Sequence, residues 1–428
     1  MVLIIEKCSN GLIGETNVPS DKSISHRAII CGALSQGETI VKNILLSKDV
    51  LNTINCFRQM GVSIKVDGSN AYIQGVGKYG FKKPKVALDC GNSATTMRLL
   101  SGVLVGQDFS TTLIGDNSLM NRPMERIISP LSEMGGNIEG KEGKYPPLEI
   151  KPTNKLKGIE YKLPIASAQV KSAILLASLY SSGKTIIIEN KITRDHTERM
   201  LNYFGEGILI KGNEIIINNG QKFVGKELYI PGDISSAAFL MVAATLVENS
   251  HIIIKNVGIN PTRDGILEVL KEMGGEIKVF NKRLVNNEPI GDMEIKHSPL
   301  KGCVIEGDII GRLIDELPII AVLGALAEGK TIIKDAEELR YKETDRIKAM
   351  VLELKKMGAE IEELSDGMII NGVKELEAGE LNSYGDHRIA MALSIAALKA
   401  DGKSIIKGHE SVNISYPNFY ETLDYLLS

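Results

Sequence analysis

The sequence predicts an α/β (α+β) fold of two domains, built from six helix-and-strand repeats with three in each domain. The chain has 428 residues, and at about 150 residues per domain this length suggests two or three domains. A small-residue helix followed by a turn and an Ile-rich strand recurs most clearly at residues 175–190, 321–334 and 392–407. An amphipathic helix ending at a glycine also recurs, with its glycines at Gly61, Gly135, Gly205, Gly274 and Gly358. The gaps of 69 to 84 residues between these glycines are too long for a solenoid unit and indicate a helix-and-strand module.

The domain boundary is expected at the midpoint of the repeats, where a short polar stretch with Pro and Gly, 230–233, interrupts the pattern. The last repeat ends with a helix and has no strand after it, whereas the chain begins with a strand-like segment. We therefore expect the N-terminal strand to complete the last repeat. The first domain is then 20–231 and the second 1–19 plus 232–428, with chain crossings near 19–20 and 231–233. A cleft between two such lobes that can close is a common place for a small-molecule site.

The composition, net charge and apolar runs of the sequence disfavour several classes of protein. The net charge is −3 with pI near 6.2, and 20 aromatic residues include no Trp, which disfavours nucleic-acid binding. The longest apolar runs, 237–247 and 318–327, are shorter than the roughly 18 residues needed to span a bilayer. The five cysteines show no paired spacing, which disfavours disulfides and a metal site. We expect a cytoplasmic protein without nucleic-acid or membrane partners.

Cations and small polar residues gather at helix starts in the first half of the chain. Residues 19–28 follow a strand and begin a helix, and they place Lys22, Ser23 and Arg27 close together. The segment 89–98, which contains Ala94, has the same form. Further helix starts carry Arg122, Ser167, Ala168, Gln169 and Arg194. Each could be a solvated helix end, but cations there oppose the helix dipole unless an anion is bound. The segments together predict sites for multiply anionic ligands.

The second half carries the candidates for acid–base chemistry. Asp315 stands just ahead of an apolar helix expected at 317–327, and Glu343 lies between Lys342 and Arg346. Arg388 begins the last small-residue helix. Mixed charges on a helix usually serve solubility. Flanking cations, however, can adjust the pKa of a carboxyl group such as Glu343.

Taken in this order, the motifs resemble those of the 5-enolpyruvylshikimate-3-phosphate synthase family over essentially the whole chain. The motifs that carry the resemblance are Ser20–Ser23 with Arg27, Gly91–Thr95, Arg122–Met124, Ser167–Gln169, Asp315, Lys342–Arg346 and Asp386–Arg388. The sequence is similar in detail to the class II, glyphosate-tolerant branch. The markers of that branch are Ser20–Ser23, Ser167–Lys171, Arg194–Glu198 and Asn260–Arg263.

The resemblance implies a two-lobed, inside-out barrel-like enolpyruvyl transferase fold. It also implies transfer of the enolpyruvyl group of phosphoenolpyruvate to the 5-hydroxyl of shikimate 3-phosphate, with release of phosphate. This is a step of the shikimate pathway to chorismate and the aromatic amino acids. Shikimate 3-phosphate and phosphoenolpyruvate are the implied partners. No metal or organic cofactor is implied, and we expect a monomer.

The resemblance also assigns roles to residues. Asp315 matches the carboxylate nearest the shikimate 5-hydroxyl, Glu343 matches the group that protonates carbon, and Lys22 touches both substrates. The shikimate 3-phosphate positions fall on Lys22, Ser23, Arg27, Ser167, Ala168, Gln169, Arg194, Asp315 and Lys342. The phosphoenolpyruvate positions fall on Lys22, Ala94, Arg122, Gln169, Arg346 and Arg388.

The sequence departs from the family pattern at two positions, and two other functions are compatible with the same fold. The family's basic residue near the C-terminus is Ile414 here, and a family asparagine before the active-site lysine is Glu338. One alternative is the sister enzyme that uses UDP-N-acetylglucosamine, but its usual cysteine is missing from residues 115–121. The other is a non-catalytic anion-binding protein of the same fold, which would be expected to lack Asp315 or Glu343.

Overall fold

The computed structural model describes residues 3–8, 10–205, 207–218, 220 and 222–428. The chain forms two compact units. Unit 1 comprises the chain up to Pro19, with Pro231–Leu284 and Pro289–Ser428. Unit 2 comprises Ser20–Ile230 and Val285–Glu288.

The elements up to residue 230 are β1 (Leu3–Glu6), β2 (Ile13–Asn17), α1 (Lys22–Leu34), β3 (Gln36–Lys42), α2 (Lys48–Gln59), β4 (Ser63–Asp67), β5 (Asn70–Val76), β6 (Leu88–Asp89), α3 (Ala94–Leu104), β7 (Thr111–Ile114), α4 (Asn117–Met120), α5 (Glu125–Glu133), β8 (Asn137–Lys141), β9 (Tyr145–Lys151), β10 (Glu160–Lys162), α6 (Ala168–Ser178), β11 (Lys184–Ile188), α7 (His196–Phe204), β12 (Ile208–Lys211), β13 (Glu214–Asn218) and β14 (Glu227–Tyr229).

The elements after residue 230 are α8 (Ile234–Leu246), β15 (His251–Gly258), α9 (Gly265–Glu272), β16 (Glu276–Val285), β17 (Glu288–Lys296), β18 (Val304–Ile305), α10 (Ile309–Leu313), α11 (Leu317–Leu326), β19 (Lys330–Ile333), α12 (Arg346–Lys356), β20 (Glu360–Leu364), β21 (Gly367–Asn371), β22 (Leu376–Glu377), β23 (Glu380–Asn382), α13 (His387–Ala397), β24 (Ala400–Asp401), β25 (Lys403–Lys407) and α14 (Phe419–Leu427). Two 3₁₀ turns lie at Glu337–Tyr341 and His409–Ile414.

Unit 2 contains three four-stranded sheets with one shared topology. Their strand orders are β14-β3-β5-β4, β6-β7-β9-β8 and β10-β11-β13-β12. In each sheet the first pair is parallel and the remaining pairs are antiparallel. The helices α1, α3 and α6 are rich in small and apolar residues, and most of their residues are buried in the core of this unit.

Unit 1 repeats the same arrangement. Sheet β18-β19-β21-β20 has the topology seen in unit 2, and sheet β16-β17-β15-β2 contains a parallel β2–β15 pair. Strand β1 pairs with β25 in antiparallel orientation, so the N-terminal strand joins the sheet of the last repeat. Helices α8 and α13 are buried along their whole length, and α11 is nearly so. The predicted mixed α/β fold with three repeats in each unit is confirmed, and each sheet is open.

The tip of the β16–β17 hairpin belongs to unit 2. Glu288 is buried, and its Oε1 lies 2.8 Å from Nδ1 of His196 on α7. Arg199, one turn further along α7, donates from Nη1 to the carbonyl oxygen of Asn287 at 2.8 Å. Residues 285–288 therefore pack with residues that precede them by about ninety positions in the chain.

Two helix starts differ from the sequence expectation. The charged segment Lys342–Arg346 is expected from the sequence to open a helix that runs to Met357, whereas α12 begins at Arg346, because Asp345 caps it by accepting from the backbone N–H of Lys348 at 3.0 Å. The short helix α10 before Asp315 was not expected from the pattern. Within the described ranges, no helix is both long enough and apolar enough to cross a membrane.

Candidate functional site

The start of α1 places Lys22 and Ser23 at the surface of unit 2. Asp21 caps the helix by accepting from the backbone N–H of Ile24 at 2.8 Å. Lys22 is half-buried, and its Nζ lies 3.1 Å from Oδ2 of Asp49 at the start of α2. The first turn of α1 contains no acidic residue, so the free amides and Lys22 leave this helix start attractive to an anion.

Arg27 lies one turn below this surface and is buried. Its Nη1 donates to the carbonyl oxygen of Ser23 at 2.9 Å, and its Nε donates to Oγ1 of Thr197 at 2.6 Å. Its Nη2 donates to Oγ of Ser172 at 2.9 Å. Arg27 therefore joins α1 to α6 and α7, and it supports Ser23 from beneath with a fixed positive charge.

The start of α3 lies beside Arg122. Ser93 caps α3 by accepting from the backbone N–H of Thr96 at 3.1 Å. Asn92 accepts a hydrogen bond from Nη2 of Arg122 at 2.9 Å through its Oδ1 and donates to Oδ2 of Asp116 at 2.8 Å. Ala94, the first residue of the helix, is 8% exposed. Its methyl group is therefore buried, two residues after Asn92, which contacts Arg122.

The starts of α6 and α3 are tied together by Gln169. Ser167 caps α6 by accepting from the backbone N–H of Val170 at 3.4 Å. Gln169 donates from Nε2 to Oγ1 of Thr95 at 2.9 Å and accepts a hydrogen bond from Arg98. The structure thus brings Gln169 to the segment that carries Ala94.

A buried hydrogen-bond chain lies beneath this surface. His26 Nδ1 is 2.7 Å from Oγ1 of Thr53, which is 2.7 Å from Oγ1 of Thr96. Burial lowers the pKa of His26 to about 3, with Asp49 opposing this shift and Lys22 and Arg27 adding to it. His26 is therefore neutral in the folded protein at neutral pH.

Because His26 is buried in its neutral form, we expect the stability of unit 2 to fall in acid. The unfolded chain takes up a proton on His26 near its ordinary pKa of about 6.5, whereas the folded protein does not until about pH 3. Stability should therefore fall as pH drops below about 6.5, by about 2 kcal/mol between pH 7 and 5. Urea unfolding of His26→Gln should show a shallower pH dependence than the parent. Equal slopes in the parent and in His26→Gln would contradict the assignment.

Unit 1 gathers its charged residues around Arg346, the first residue of α12. Arg346 is 1% exposed and donates from Nε to Oδ2 of the fully buried Asp386 at 2.7 Å. Its Nη2 donates to Oε2 of Glu343 at 2.7 Å, and its Nη1 lies 3.4 Å from Oδ1 of Asp315. Burial lowers the pKa of Arg346, but the charges of Asp386, Glu343 and Asp315 raise it above its ordinary value overall.

Lys342 and Arg388 complete this cluster from opposite sides of Asp315. Lys342 Nζ lies 3.7 Å from Oδ1 of Asp315, and Arg388 Nη2 lies 3.8 Å from Oδ2. Arg388 also donates from Nη1 to the carbonyl oxygen of Asp315 at 3.0 Å. Asp386 caps α13 by accepting from the backbone N–H of Arg388 at 2.8 Å, which fixes the origin of that side chain.

The arrangement in unit 1 suits proton transfer next to bound anions. Asp315 and Glu343 contact the same guanidinium group, so each carboxylate is held in place beside positive charge. Three cations, Lys342, Arg346 and Arg388, contact the carboxylates of Asp315, Glu343 and Asp386, and Arg388 Nη1 also lies 3.9 Å from Oε1 of Glu316. Such a set can bind a phosphate or carboxylate while one carboxyl group accepts a proton and another donates one.

Sequence reasoning missed four members of these clusters as site residues: Asp49, Arg98, Glu316 and Asp386. Asp49 and Asp386 lie at helix starts and look like ordinary capping or dipole partners in the sequence. Arg98 lies in the second turn of α3, where its spacing from Thr95 places both on one helix face. Its contact with Gln169, 71 positions away, leaves no local signal.

Comparison with known proteins extends the resemblance. A family model described as EPSP synthase (3-phosphoshikimate 1-carboxyvinyltransferase) matches residues 7–423. A 3-phosphoshikimate 1-carboxyvinyltransferase of Thermoanaerobacter sp. (strain X514) is 54% identical over 415 residues, which cover 97% of this chain and 98% of the relative. That of Syntrophomonas wolfei subsp. wolfei is 50% identical over 419 residues, with coverage of 97% and 98%. The solved EPSP synthase from Acinetobacter baumannii superposes with a TM-score of 0.90 at 45% identity, covering 99% of this chain and 98% of that one.

Proposed function

The chain belongs to the EPSP synthase family, and from that premise we propose that the clusters described above bind its substrates and transfer its protons. Its activity is transfer of the enolpyruvyl group of phosphoenolpyruvate to the 5-hydroxyl of shikimate 3-phosphate, with release of phosphate. The observation that carries the site proposal is the grouping of Asp315 and Glu343 around one buried guanidinium, that of Arg346.

The reaction needs a base and an acid. In the addition step, Asp315 accepts the proton of the 5-hydroxyl, and the 5-oxygen of shikimate 3-phosphate bonds to C2 of phosphoenolpyruvate. At the same time, Glu343 gives a proton to the methylene carbon of phosphoenolpyruvate. In the elimination step, Glu343 takes a proton back from the resulting methyl group as the C–O bond to phosphate breaks, and the departing phosphate takes the proton held by Asp315. The two carboxyl groups thus return to their starting states, and no cofactor takes part in this proposed sequence. Lys22 steadies the charge that develops on the substrates.

The remaining cations bind the substrate anions in this proposal. Guanidinium groups bind carboxylate and phosphate through paired hydrogen bonds, which suits phosphoenolpyruvate. The phosphoenolpyruvate contacts are Lys22, Ala94, Arg122, Gln169, Arg346 and Arg388. The shikimate 3-phosphate contacts are Lys22, Ser23, Arg27, Ser167, Ala168, Gln169, Arg194, Asp315 and Lys342. Because Arg27 is buried, we assign it two effects on shikimate 3-phosphate: its positive charge attracts the anion, and its hydrogen bond to Ser23 positions that residue.

A phosphate-release assay tests the substrate pair directly. The protein mixed with phosphoenolpyruvate and shikimate 3-phosphate should release inorganic phosphate, with enolpyruvyl product in equal amount. Replacing shikimate 3-phosphate by UDP-N-acetylglucosamine should give no release. Turnover with the UDP-sugar alone would favour the sister enzyme, and absence of turnover with either acceptor would favour the non-catalytic alternative.

We further propose that the enzyme is of the class II type and tolerates glyphosate, because a methyl group stands at Ala94. By family resemblance, glyphosate occupies the phosphoenolpyruvate site and is the longer molecule, so this methyl group should crowd it more than the substrate. One carbon in a pocket is worth roughly 10- to 200-fold in discrimination. Ala94→Gly should therefore lower the inhibition constant for glyphosate within that range and change the Michaelis constant for phosphoenolpyruvate less.

A competing account of Ala94 is helix propensity, since Ala is favoured over Gly by about 1 kcal/mol in a helix. Under that account, Ala94→Gly lowers the melting temperature and leaves the inhibition constant unchanged. Ala173→Gly, in the buried interior of α6, provides a matched loss of one methyl group away from the pocket. An inhibition constant that moves equally in both variants would contradict the steric account.

We also propose that the enzyme works as a cytoplasmic monomer. All five cysteines are unpaired, and three of them, Cys31, Cys56 and Cys90, are buried. Each unit has its own apolar core, so the fold needs no partner chain to bury it. Sedimentation analysis should give the mass of a single chain with and without substrates.

A further inference from the structure

A lysine and two glutamates are buried together in unit 2, and we call Lys171, Glu189 and Glu198 the ionic cluster. Their side chains are 0%, 6% and 1% exposed. Lys171 Nζ lies 3.1 Å from Oε1 of Glu189 and 2.6 Å from Oε1 of Glu198. It also donates to the carbonyl oxygen of Thr193 at 3.3 Å. The ammonium group thus contacts both the loop of residues 189–193 and helix α7.

Stability alone does not account for this ionic cluster. Removing charges from water costs about as much as their attraction returns, and apolar residues of similar size often do as well. Two carboxylates here face one ammonium group, and burial raises the pKa of Glu198 even though Lys171 opposes that shift. The benefit of such an arrangement is a fixed geometry, because each charged group accepts few alternative positions once buried.

The ionic cluster joins two segments that carry proposed substrate contacts. Lys171 lies one turn after Ser167, the capping residue of α6. Glu189 follows β11, and its Oε1 accepts from both N and Oγ1 of Thr193, at 3.1 and 2.6 Å. These bonds close a loop of five residues whose next residue is Arg194. The position of Arg194 relative to Ser167 is therefore set through Thr193, Glu189 and Lys171.

Neighbours of the ionic cluster strengthen this connection. Ser172 follows Lys171 and Thr197 precedes Glu198, and their hydroxyl oxygens lie 2.6 Å apart. Both hydroxyls accept hydrogen bonds from Arg27. The same two helices, α6 and α7, are thus joined once by the ionic cluster and once by Arg27.

We propose that Lys171, Glu189 and Glu198 are positioning residues that hold Arg194 and the start of α6 at the separation required by shikimate 3-phosphate. The inference rests on the proposed assignment of Ser167 and Arg194 to that substrate. The ionic cluster acts on affinity for the phosphorylated acceptor and leaves the proton-transfer groups of unit 1 unchanged. It therefore predicts a selective change in one Michaelis constant.

The test compares Glu189→Gln with Thr193→Val in the full-length enzyme. Glu189→Gln should raise the Michaelis constant for shikimate 3-phosphate about tenfold and change kcat and the constant for phosphoenolpyruvate less, an effect usual for residues in one network. Thr193→Val removes the hydroxyl donor and no charge, and it should shift the same constant in the same direction. Thr193→Ser keeps the donor and should restore the parent value.

A double-mutant cycle with Arg194→Ala shows whether the effect passes through Arg194. If Glu189 acts by placing Arg194, Glu189→Gln adds little once Arg194 is absent. The proposal would be overturned if the change in the Michaelis constant for shikimate 3-phosphate in Glu189→Gln/Arg194→Ala equals the product of the changes in the two single variants. An unchanged Michaelis constant in Glu189→Gln would also overturn it. Leu148→Ala is the control for general destabilisation, because it opens the core of unit 2 at β9. It should lower the melting temperature without changing the Michaelis constant.

The outcomes also separate this inference from the site assignment. If Arg194→Ala itself leaves affinity for shikimate 3-phosphate unchanged, the assignment of Arg194 is wrong and the proposal fails with it. The phosphate-release assay on the parent enzyme remains a separate test of the reaction. Binding of shikimate 3-phosphate by titration calorimetry, without phosphoenolpyruvate, gives the same comparison free of any change in chemistry.

Discussion

Asp315→Asn and Glu343→Gln are each expected to lower turnover about 100-fold or more, because positioned proton transfer contributes on that scale. Both substitutions keep the size of the side chain and its ability to accept from Arg346, so the surrounding cations stay in place. Binding of shikimate 3-phosphate should therefore change little. Steady-state kinetics measures the loss of kcat, and calorimetry measures retained binding.

The control for this pair is Glu337→Gln, which removes one exposed carboxylate from the preceding 3₁₀ turn. It changes the net charge of unit 1 by the same amount, and among the described residues its carboxylate accepts a hydrogen bond from Tyr341 and none from Arg346. Its turnover should match the parent. Near-parent turnover in Asp315→Asn or in Glu343→Gln would reject the role assigned to that residue.

Arg346→Met is expected to remove activity and to destabilise unit 1 together. The substitution leaves Asp386, which is fully buried, without the cation that it contacts at 2.7 Å. Breaking a buried pair by removing one partner costs roughly 3–5 kcal/mol. Asp315 and Glu343 lose their shared partner in the same step. Urea unfolding measures the first effect, and the Michaelis constant for phosphoenolpyruvate in Arg346→Lys measures the loss of the paired guanidinium bonds.

Lys334→Met is the matched comparison, since it breaks a half-exposed ion pair with Glu306 at 3.2 Å in the same unit. Exposed pairs contribute about 0 to 1 kcal/mol. If Arg346→Met and Lys334→Met unfold at the same urea concentration, breaking the buried pair does not cost the roughly 3–5 kcal/mol expected for it. The double variant Arg346→Met/Asp386→Asn should recover part of the lost stability, because asparagine leaves no buried charge and still caps α13.

The fold was predictable where a local pattern repeats. A small-residue helix followed by an Ile-rich strand recurs in the sequence, and the structure has this pair of elements at α6 and β11, α11 and β19, and α13 and β25. Strands of two residues, such as β6 and β18, gave no pattern because alternation needs at least four positions. The helix expected to begin at Lys342 begins at Arg346 in the structure. The sequence did not distinguish the two starts, because the charged residues at 342–345 are compatible with either a helix or its cap.

The candidate site was predictable in kind and less so in detail. Cations at helix starts indicated anion binding because the helix dipole disfavours them there, and this argument needs only neighbouring residues. The burial of Arg27 and the pairing of Lys22 with Asp49 depend on contacts 27 to 170 positions apart. Such contacts are set by packing of the folded unit. The roles assigned to the site residues stay predictions until the variants are measured.

The hairpin tip at residues 285–288 limits how this protein can be divided. A fragment of residues 20–230 would contain the three sheets of unit 2 but would lack Glu288 and Asn287. His196 would then lose its buried carboxylate partner, and Arg199 would lose the carbonyl oxygen that it contacts. Chimeras between relatives that exchange only the continuous segment would pair α7 from one parent with a tip from the other. A compatible exchange therefore has to transfer the tip together with the segment.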